Sequence, residues 1–424
     1  MTAHDVETRR RRRIPWTRDV LGVWIFLLTA VLLVGCATST PADVATPSTS
    51  TEPGSLIGTP SRDNGYPALD DVTRDITAIR YATTARDGSP RTANGVVFVP
   101  RDDPPRGGFR IAAVAHPNTG ASSDCAPTSY PGLLGSLGAV AYFLAAGYVV
   151  VFTEDPVTVD DAGTLVDAGD GTATTTTRPH PFLEPYSGAH TMIDGVRAAR
   201  RTVQGTSTDW VAYGVSQGGQ ASWAANELAG TYGNGLRLLG SLSISPAADL
   251  RGLVEKMQAG TLSVAQRVSL PVVLEGVSAA FPGFRVDDYL HGSMLAARSV
   301  FLSCTGDQES AKTGIATAAP ASDFRPTSTA AADRLRDQLG QFAVPLPSTR
   351  ATAPMFVAYG TDDTLIDPRW TVDAVRRACR SGDTVDLRVV QGQPHGTLDL
   401  GPVPQDWVDD RAAGRRAPNS CASL

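Results

Sequence analysis

Two kinds of apolar pattern alternate along the body of this chain. Segments 76–84 ("ITAIRYATT") and 94–100 ("NGVVFVP") read as an opening antiparallel pair of strands. Segments 110–116 ("RIAAVAH"), 147–153 ("GYVVVFT"), 210–213 ("WVAY") and 238–245 ("LLGSLSIS") are apolar almost without interruption. Between them lie stretches with helical character, such as 138–146 ("GAVAYFLAA") and 189–203 ("AHTMIDGVRAARRTV"). Strands apolar on both faces with helices between them predict a mostly parallel sheet covered on both sides. After Pro246 the rhythm breaks, and residues 247–350 read as helices and loops rich in large apolar side chains. Regular strands resume at 354–360 ("PMFVAYG") and 384–392 ("TVDLRVVQG"). The body is therefore expected to be an α/β core in two parts, 68–246 and 351–424, interrupted by a helical cap at 247–350.

The N-terminal region has a different pattern. Five arginines, Arg9 to Arg13, precede an apolar run over 20–35 and the sequence "LVGCATST". A positive segment, a short apolar core and small residues before a cut are signal-peptide features, and the run is short for a membrane span. "Leu33-Val34-Gly35-Cys36" resembles the bacterial lipobox, so 1–35 is expected to be a lipoprotein signal peptide. Cys36 would then carry the lipid that anchors the exported protein to the cell membrane; an uncleaved anchor or a simple signal peptide is the alternative. Residues 36–67, dominated by Thr, Ser, Pro and Gly, read as a flexible tether.

Charge and cysteine content narrow the picture. The formal net charge is −6, and only Lys256 and Lys312 among the 37 basic residues are lysines. No basic stripe follows Arg13, which argues against a nucleic-acid partner. Of five cysteines, four remain once Cys36 is set aside: Cys125, Cys304, Cys379 and Cys421. An even number in an exported chain points to two disulfides, with three pairings open. No C-x-x-C or H-x-x-x-H spacing suggests a metal site, and no cofactor is called for.

The chemistry centres on "YGVSQGGQ". Gly214, Ser216 and Gly218 satisfy G-x-S-x-G, a weak signal alone in a chain with 41 glycines. Its context strengthens it: an apolar strand enters the turn and an Ala-rich helix leaves it, as a nucleophile elbow requires. A serine nucleophile needs a base and a group that orients the base. In the α/β-hydrolase chain order, serine then acid then histidine, only His291 and His395 follow Ser216. His291 falls in the cap, whereas His395 follows a strand by a short loop, "VVQGQPHGT", and is the expected base. The loop "GTDDTLIDP" offers Asp362, Asp363 and Asp367; spacing favours Asp363 as the acid, with Asp362 its nearest rival and a turn-forming role the alternative for both. The oxyanion donors expected are the N–H of Gln217, after the serine, and one from the loop "AHPNTGASSDCAPTSYP", which has Thr119 and Gly120 at its apex. His116 in that loop precedes the serine and reads as loop support.

Taken together, "HPNTGASSDCAPTSYP", "LAAGYVVVFTEDP", "HPFLEPYSGAHTMIDGVRAAR", "VAYGVSQGGQASWAANELAGTYG", "GTDDTLIDP" and "PHGT" resemble the secretory lipase family of α/β hydrolases, from residue 76 to the C-terminus. The resemblance implies an α/β-hydrolase fold, a triad of Ser216, Asp363 and His395, and oxyanion donors on Thr119 and Gln217. It further implies a lid over an acyl tunnel and disulfides joining Cys125 to Cys304 and Cys379 to Cys421. One departure is Pro117, where relatives commonly carry glycine; proline removes a backbone donor and stiffens the loop. The expected function is hydrolysis of a lipid or other acyl ester through an acyl-enzyme. Acyl transfer from the same intermediate, or ligand binding without catalysis, are the competing readings.

Overall fold

The computed structural model describes residues 51–122, 124–156 and 182–424, all within one compact unit, Pro47–Leu424. The predicted signal peptide, Cys36, the first part of the tether and His180 lie outside the described residues. Nine strands form one sheet in the order β1-β2-β3-β5-β4-β6-β7-β8-β9. They are β1 (Ser61–Arg62), β2 (Thr73–Thr84), β3 (Pro90–Pro100), β4 (Phe109–Ala115), β5 (Val149–Thr153), β6 (Thr206–Val215), β7 (Arg237–Ile244), β8 (Met355–Gly360) and β9 (Val385–Val390). The pairs β1–β2, β2–β3 and β3–β5 are antiparallel, and all pairs from β5 through β9 are parallel. This is the α/β-hydrolase arrangement that the alternating pattern predicts.

Helices α1 (Leu137–Ala145), α2 (Pro185–Thr202) and α3 (Gln217–Tyr232) connect the first parallel strands. One face of the sheet packs Trp210, Met192, Val196 and Trp223 into a core with α2 and α3. The other packs Phe98, Phe143, Phe152, Phe356 and Trp407. Because β4, β5 and β8 are covered on both faces, their sequences are apolar almost throughout.

Between β7 and β8 the chain leaves the sheet for α4 (Gly252–Ala259), α5 (Val264–Ala280), α6 (Gly292–Ala296), α7 (Arg298–Leu302), α8 (Glu309–Ala318) and α9 (Thr329–Gln341). These share their own apolar cluster, including Met257, Leu274, Val277, Phe301, Phe324 and Leu335. The cluster also takes in Phe182, Leu183 and Ile366 from loops of the sheet, so the helices are seated on it. The fold closes with α10 (Pro368–Arg380) and α11 (Val403–Ala412). Among the described residues no helix is long and apolar enough to cross a membrane.

The end of the expected tether needs correction. Gly54 N and Ile57 N donate to Ala82 O and Arg80 O, each at 2.8 Å, and Ser61–Arg62 pairs with β2. Tyr66, 1% exposed, is core. The open edge of β2 supplies backbone partners, and Leu56 and Tyr66 supply apolar anchors, so 54–67 are held although their composition is that of a linker.

Candidate active site

The site grows from the carboxyl ends of adjacent parallel strands. β6 is central and apolar, and its chain turns into α3 through Ser216, which holds φ 57° and ψ −113°. A non-glycine residue at positive φ is strained and persists only where its surroundings impose it. Here the imposition is steric: a Cβ on Gly214 would lie 2.1 Å from Gly218 O, and one on Gly218 would lie 2.2 Å from Ala115 O. Two glycines let strand, turn and the end of β4 meet. Ser216 N donates to Ile244 O at 2.9 Å, which secures the turn from the β7 side.

Three side chains from three separate loops converge there. His395 Nε2 lies 2.9 Å from Ser216 Oγ, and its Nδ1 lies 2.7 Å from Asp363 Oδ2. A carboxylate at Nδ1 fixes the tautomer: Nδ1–H donates to Asp363, leaving the Nε2 lone pair to accept from the serine hydroxyl. Asp363 is buried, and its Oδ1 accepts from the N–H groups of Leu365 and Ile366 at 2.9 and 2.8 Å. Its neighbours have other tasks. Asp362 is exposed and accepts from Thr361 Oγ1, while Asp367 caps α10 through Arg369 N and pairs with Lys256 at 3.4 Å.

Gln217 opens α3, so its N–H points from the positive end of a helix dipole. Neither this N–H nor that of the buried Thr119 has an acceptor among the described residues. The loop carrying Thr119 is fastened to the C-terminal end of α7. Ala121 N and Ser122 N donate to Leu302 O at 2.9 and 3.1 Å, Thr305 N donates to Thr119 O at 2.9 Å, and a disulfide joins Cys125 to Cys304. Gly120, at φ +106°, allows the approach, since a Cβ there would meet Ser303 O at 2.7 Å. The second disulfide joins Cys379 to Cys421.

The cap helices also touch the acid loop. Ser263 Oγ donates to Thr364 O at 2.7 Å and Gln266 Nε2 to Leu365 O at 3.1 Å. Beneath them a narrow cavity of about 40 Å³ opens beside Ser216, lined by Asn118, Leu183, Leu250, Leu270, Val273 and Ile366 among others. Its walls are mostly apolar, with Asn118, Gln266 and Ser269 as the polar lining residues besides Ser216.

The other histidines among the described residues have their own partners. His291 Nε2 pairs with Arg325 O within the cap, and His190 stacks on Tyr232 while its Nδ1 faces Thr84 O. His116 is buried, with Nδ1 donating to Pro117 O at 2.7 Å and Nε2 lying 3.7 Å from Asp155 Oδ2. Sequence reasoning assigned nothing to Glu154 and Asp155. The available signal was a pair of acids at the carboxyl end of a buried strand, β5, beside β4.

The secretory lipase family model matches residues 170–420. Among solved structures, the chain is similar to Candida antarctica lipase A in its closed state, with TM-score 0.63 and 14% identity over 90% of this chain and 86% of that one. It is also similar to the rice cell wall degrading esterase LipA from Xanthomonas oryzae, with TM-score 0.61 and 17% identity over 80% and 92%. A putative hydrolase from Legionella pneumophila gives TM-score 0.61 and 16% identity over 85% and 98%. No curated protein matches in sequence.

Proposed function

Because the chain belongs to the secretory lipase family, and is thus a carboxylic-ester hydrolase, we propose that Ser216, His395 and Asp363 carry the reaction through an acyl-enzyme. The observation that supports this most is the unbroken relay from Ser216 Oγ through both ring nitrogens of His395 to the Asp363 carboxylate. Ser216 attacks the ester carbonyl carbon while its proton passes to His395 Nε2. Charge gathers on the former carbonyl oxygen and is met by the N–H groups of Gln217 and Thr119. Collapse expels the alcohol, which takes the proton from the imidazolium. Water then attacks the acyl-enzyme by the same route and releases the acid. Asp363 stays ionised throughout and holds the imidazole in register.

The substrate we assign is a triacylglycerol or other acyl ester whose acyl group enters the apolar cavity beside Ser216. At about 40 Å³ this space holds little more than a short acyl group, so long chains require residues 247–350 to act as a lid and move. A lipid anchor at Cys36 would place the exported enzyme on the outer side of the cell membrane, with 36–53 as its tether.

The test pairs Ser216→Ala with p-nitrophenyl esters from acetate to palmitate, an emulsified triglyceride and a fluorophosphonate label. The expected result is labelling of Ser216 and loss of hydrolysis by several orders of magnitude in the variant. Undiminished hydrolysis by Ser216→Ala would overturn the mechanism. Activity confined to short soluble esters would remove the lid assignment.

A further inference from the structure

We infer that Asp155 is a positioning residue that holds the two halves of the oxyanion site in register, an inference that rests on the triad reading above. The two proposed donors come from different loops. Gln217 opens the helix after β6, and Thr119 lies in the loop after β4. Asp155 follows the end of β5 and touches both loops. Gln217 Nε2 sits astride its carboxylate, 3.0 Å from Oδ1 and 2.9 Å from Oδ2. Oδ2 also faces His116 Nε2 at 3.7 Å, and the other ring nitrogen of His116 donates to Pro117 O at 2.7 Å. One carboxylate therefore accepts from the residue whose N–H follows the nucleophile and packs at 3.7 Å against His116, whose Nδ1–H holds the carbonyl of the next residue in the loop bearing Thr119.

The orientation of the Gln217 amide indicates how strong this hold is. Only the nitrogen can face a carboxylate, so the amide oxygen is turned inward, where it is buried with no protein partner among the described residues. The charge-assisted contact outweighs that loss. The same contact answers an electrostatic difficulty. A carboxylate near a developing oxyanion opposes it, but both oxygens of this one are turned onto the amide N–H of Gln217. Glu154 fixes the far end of the loop in a similar way: its Oε1 accepts from Thr128 N at 3.1 Å and from Thr128 Oγ1 at 2.5 Å. Consecutive acids at the end of β5 thus hold both ends of the loop, and Asp155 alone also reaches the elbow. Pro117 fits this arrangement, because its carbonyl serves as the acceptor for His116 while its missing N–H is not needed.

The test uses the full chain with Asp155→Asn, Gln217→Met, the double variant and Ser216→Ala, assayed on p-nitrophenyl butyrate and inhibited by an alkyl trifluoromethyl ketone. That ketone forms a hemiketal with the serine whose oxyanion occupies the site. Gln217→Met keeps the backbone N–H and removes only the link to Asp155. For Asp155→Asn the expected result is a fall in kcat of roughly 10–100-fold, less than the loss of a whole donor, with KM within about twofold. The inhibition constant of the ketone should rise by the same factor. Gln217→Met should reproduce these changes, and the double variant should lose no more than either single one. Unchanged kcat and inhibition constant, a change confined to KM, or losses that multiply would each overturn the assignment. If Asp155→Asn does not fold, the kcat and inhibition constant of Gln217→Met decide alone. Inactive Ser216→Ala beside a fully active Asp155→Asn rejects only the role of Asp155, whereas an active Ser216→Ala rejects the triad and this role with it.

Discussion

At the scale of single residues, the two oxygens of Asp363 are committed to different partners, and this makes its amide variant informative. Oδ1 must accept from Leu365 and Ile366 N–H, so in Asp363→Asn the NH₂ group takes the place of Oδ2 against His395 Nδ1. The ring must then carry its proton on Nε2, where it can no longer accept from Ser216. The expected outcome is a kcat loss of about 10³–10⁴, as for the equivalent tautomer trap in serine proteases, with KM nearly unchanged; steady-state kinetics at neutral pH check it. Glu227 gives a second prediction. Burial, opposed by donors from Leu346 N and Trp223 Nε1, pushes its carboxyl from the usual 4.5 up to about 8. Between those values the folded protein holds a proton that the unfolded chain has released. Stability should therefore be greatest below about pH 4.5 as far as this group is concerned, fall as pH rises toward about 8, and level off beyond. Urea unfolding across that range should show a smaller slope in Glu227→Gln than in the parent, the remainder coming from other buried carboxyls such as Asp194. The sequence points to Ser216, His395 and Asp363 through motif, chain order and loop spacing, and His395 stands within hydrogen-bonding distance of each of the other two. Asp155 was not legible, because its partner Gln217 lies 62 residues away and no local pattern marks the pair.

At the scale of elements, the turn from β6 into α3 leaves no room for a Cβ at Gly214 or Gly218. Gly214→Ala at the end of β6 would drive a Cβ to 2.1 Å from a backbone oxygen, whereas Gly230→Ala in helix α3 would meet the tip of Thr352 at 3.0 Å. Denaturant unfolding should show the first destabilised by at least ~3 kcal/mol and the second by far less. The strands of the parallel sheet were legible because burial on both faces writes itself as uninterrupted apolar runs. The short edge strand β1 was not, since two residues with exposed side chains carry no pattern and their pairing rests on the backbone alone. The break in rhythm after Pro246 marked where the chain leaves the sheet, but not which loops its helices would cover, because that depends on contacts with no counterpart in sequence spacing.

At the scale of the whole molecule, the two disulfides should be separable by function. Chain-entropy reasoning assigns about 5 kcal/mol to Cys125–Cys304 and about 4 to Cys379–Cys421, which close loops of 179 and 42 residues. Paired Cys→Ala replacement at either should lower the melting temperature. Only the first pair ties the Thr119 loop to the cap, so only its loss should also lower kcat at temperatures well below melting. That the cysteines pair was legible from their even number, but the pairing itself was not a matter of spacing: Cys125 and Cys304 meet where the loop after β4 lies against the end of α7. The cap is fastened at two rims, to the Thr119 loop through Leu302 and Thr305 and to the acid loop through Ser263 and Gln266. For anyone grafting a cap from one relative to another to change substrate range, the unit of exchange is therefore larger than the helices. It must bring along the matching stretches 117–125 and 364–366, or the new roof will pull the catalytic floor out of shape.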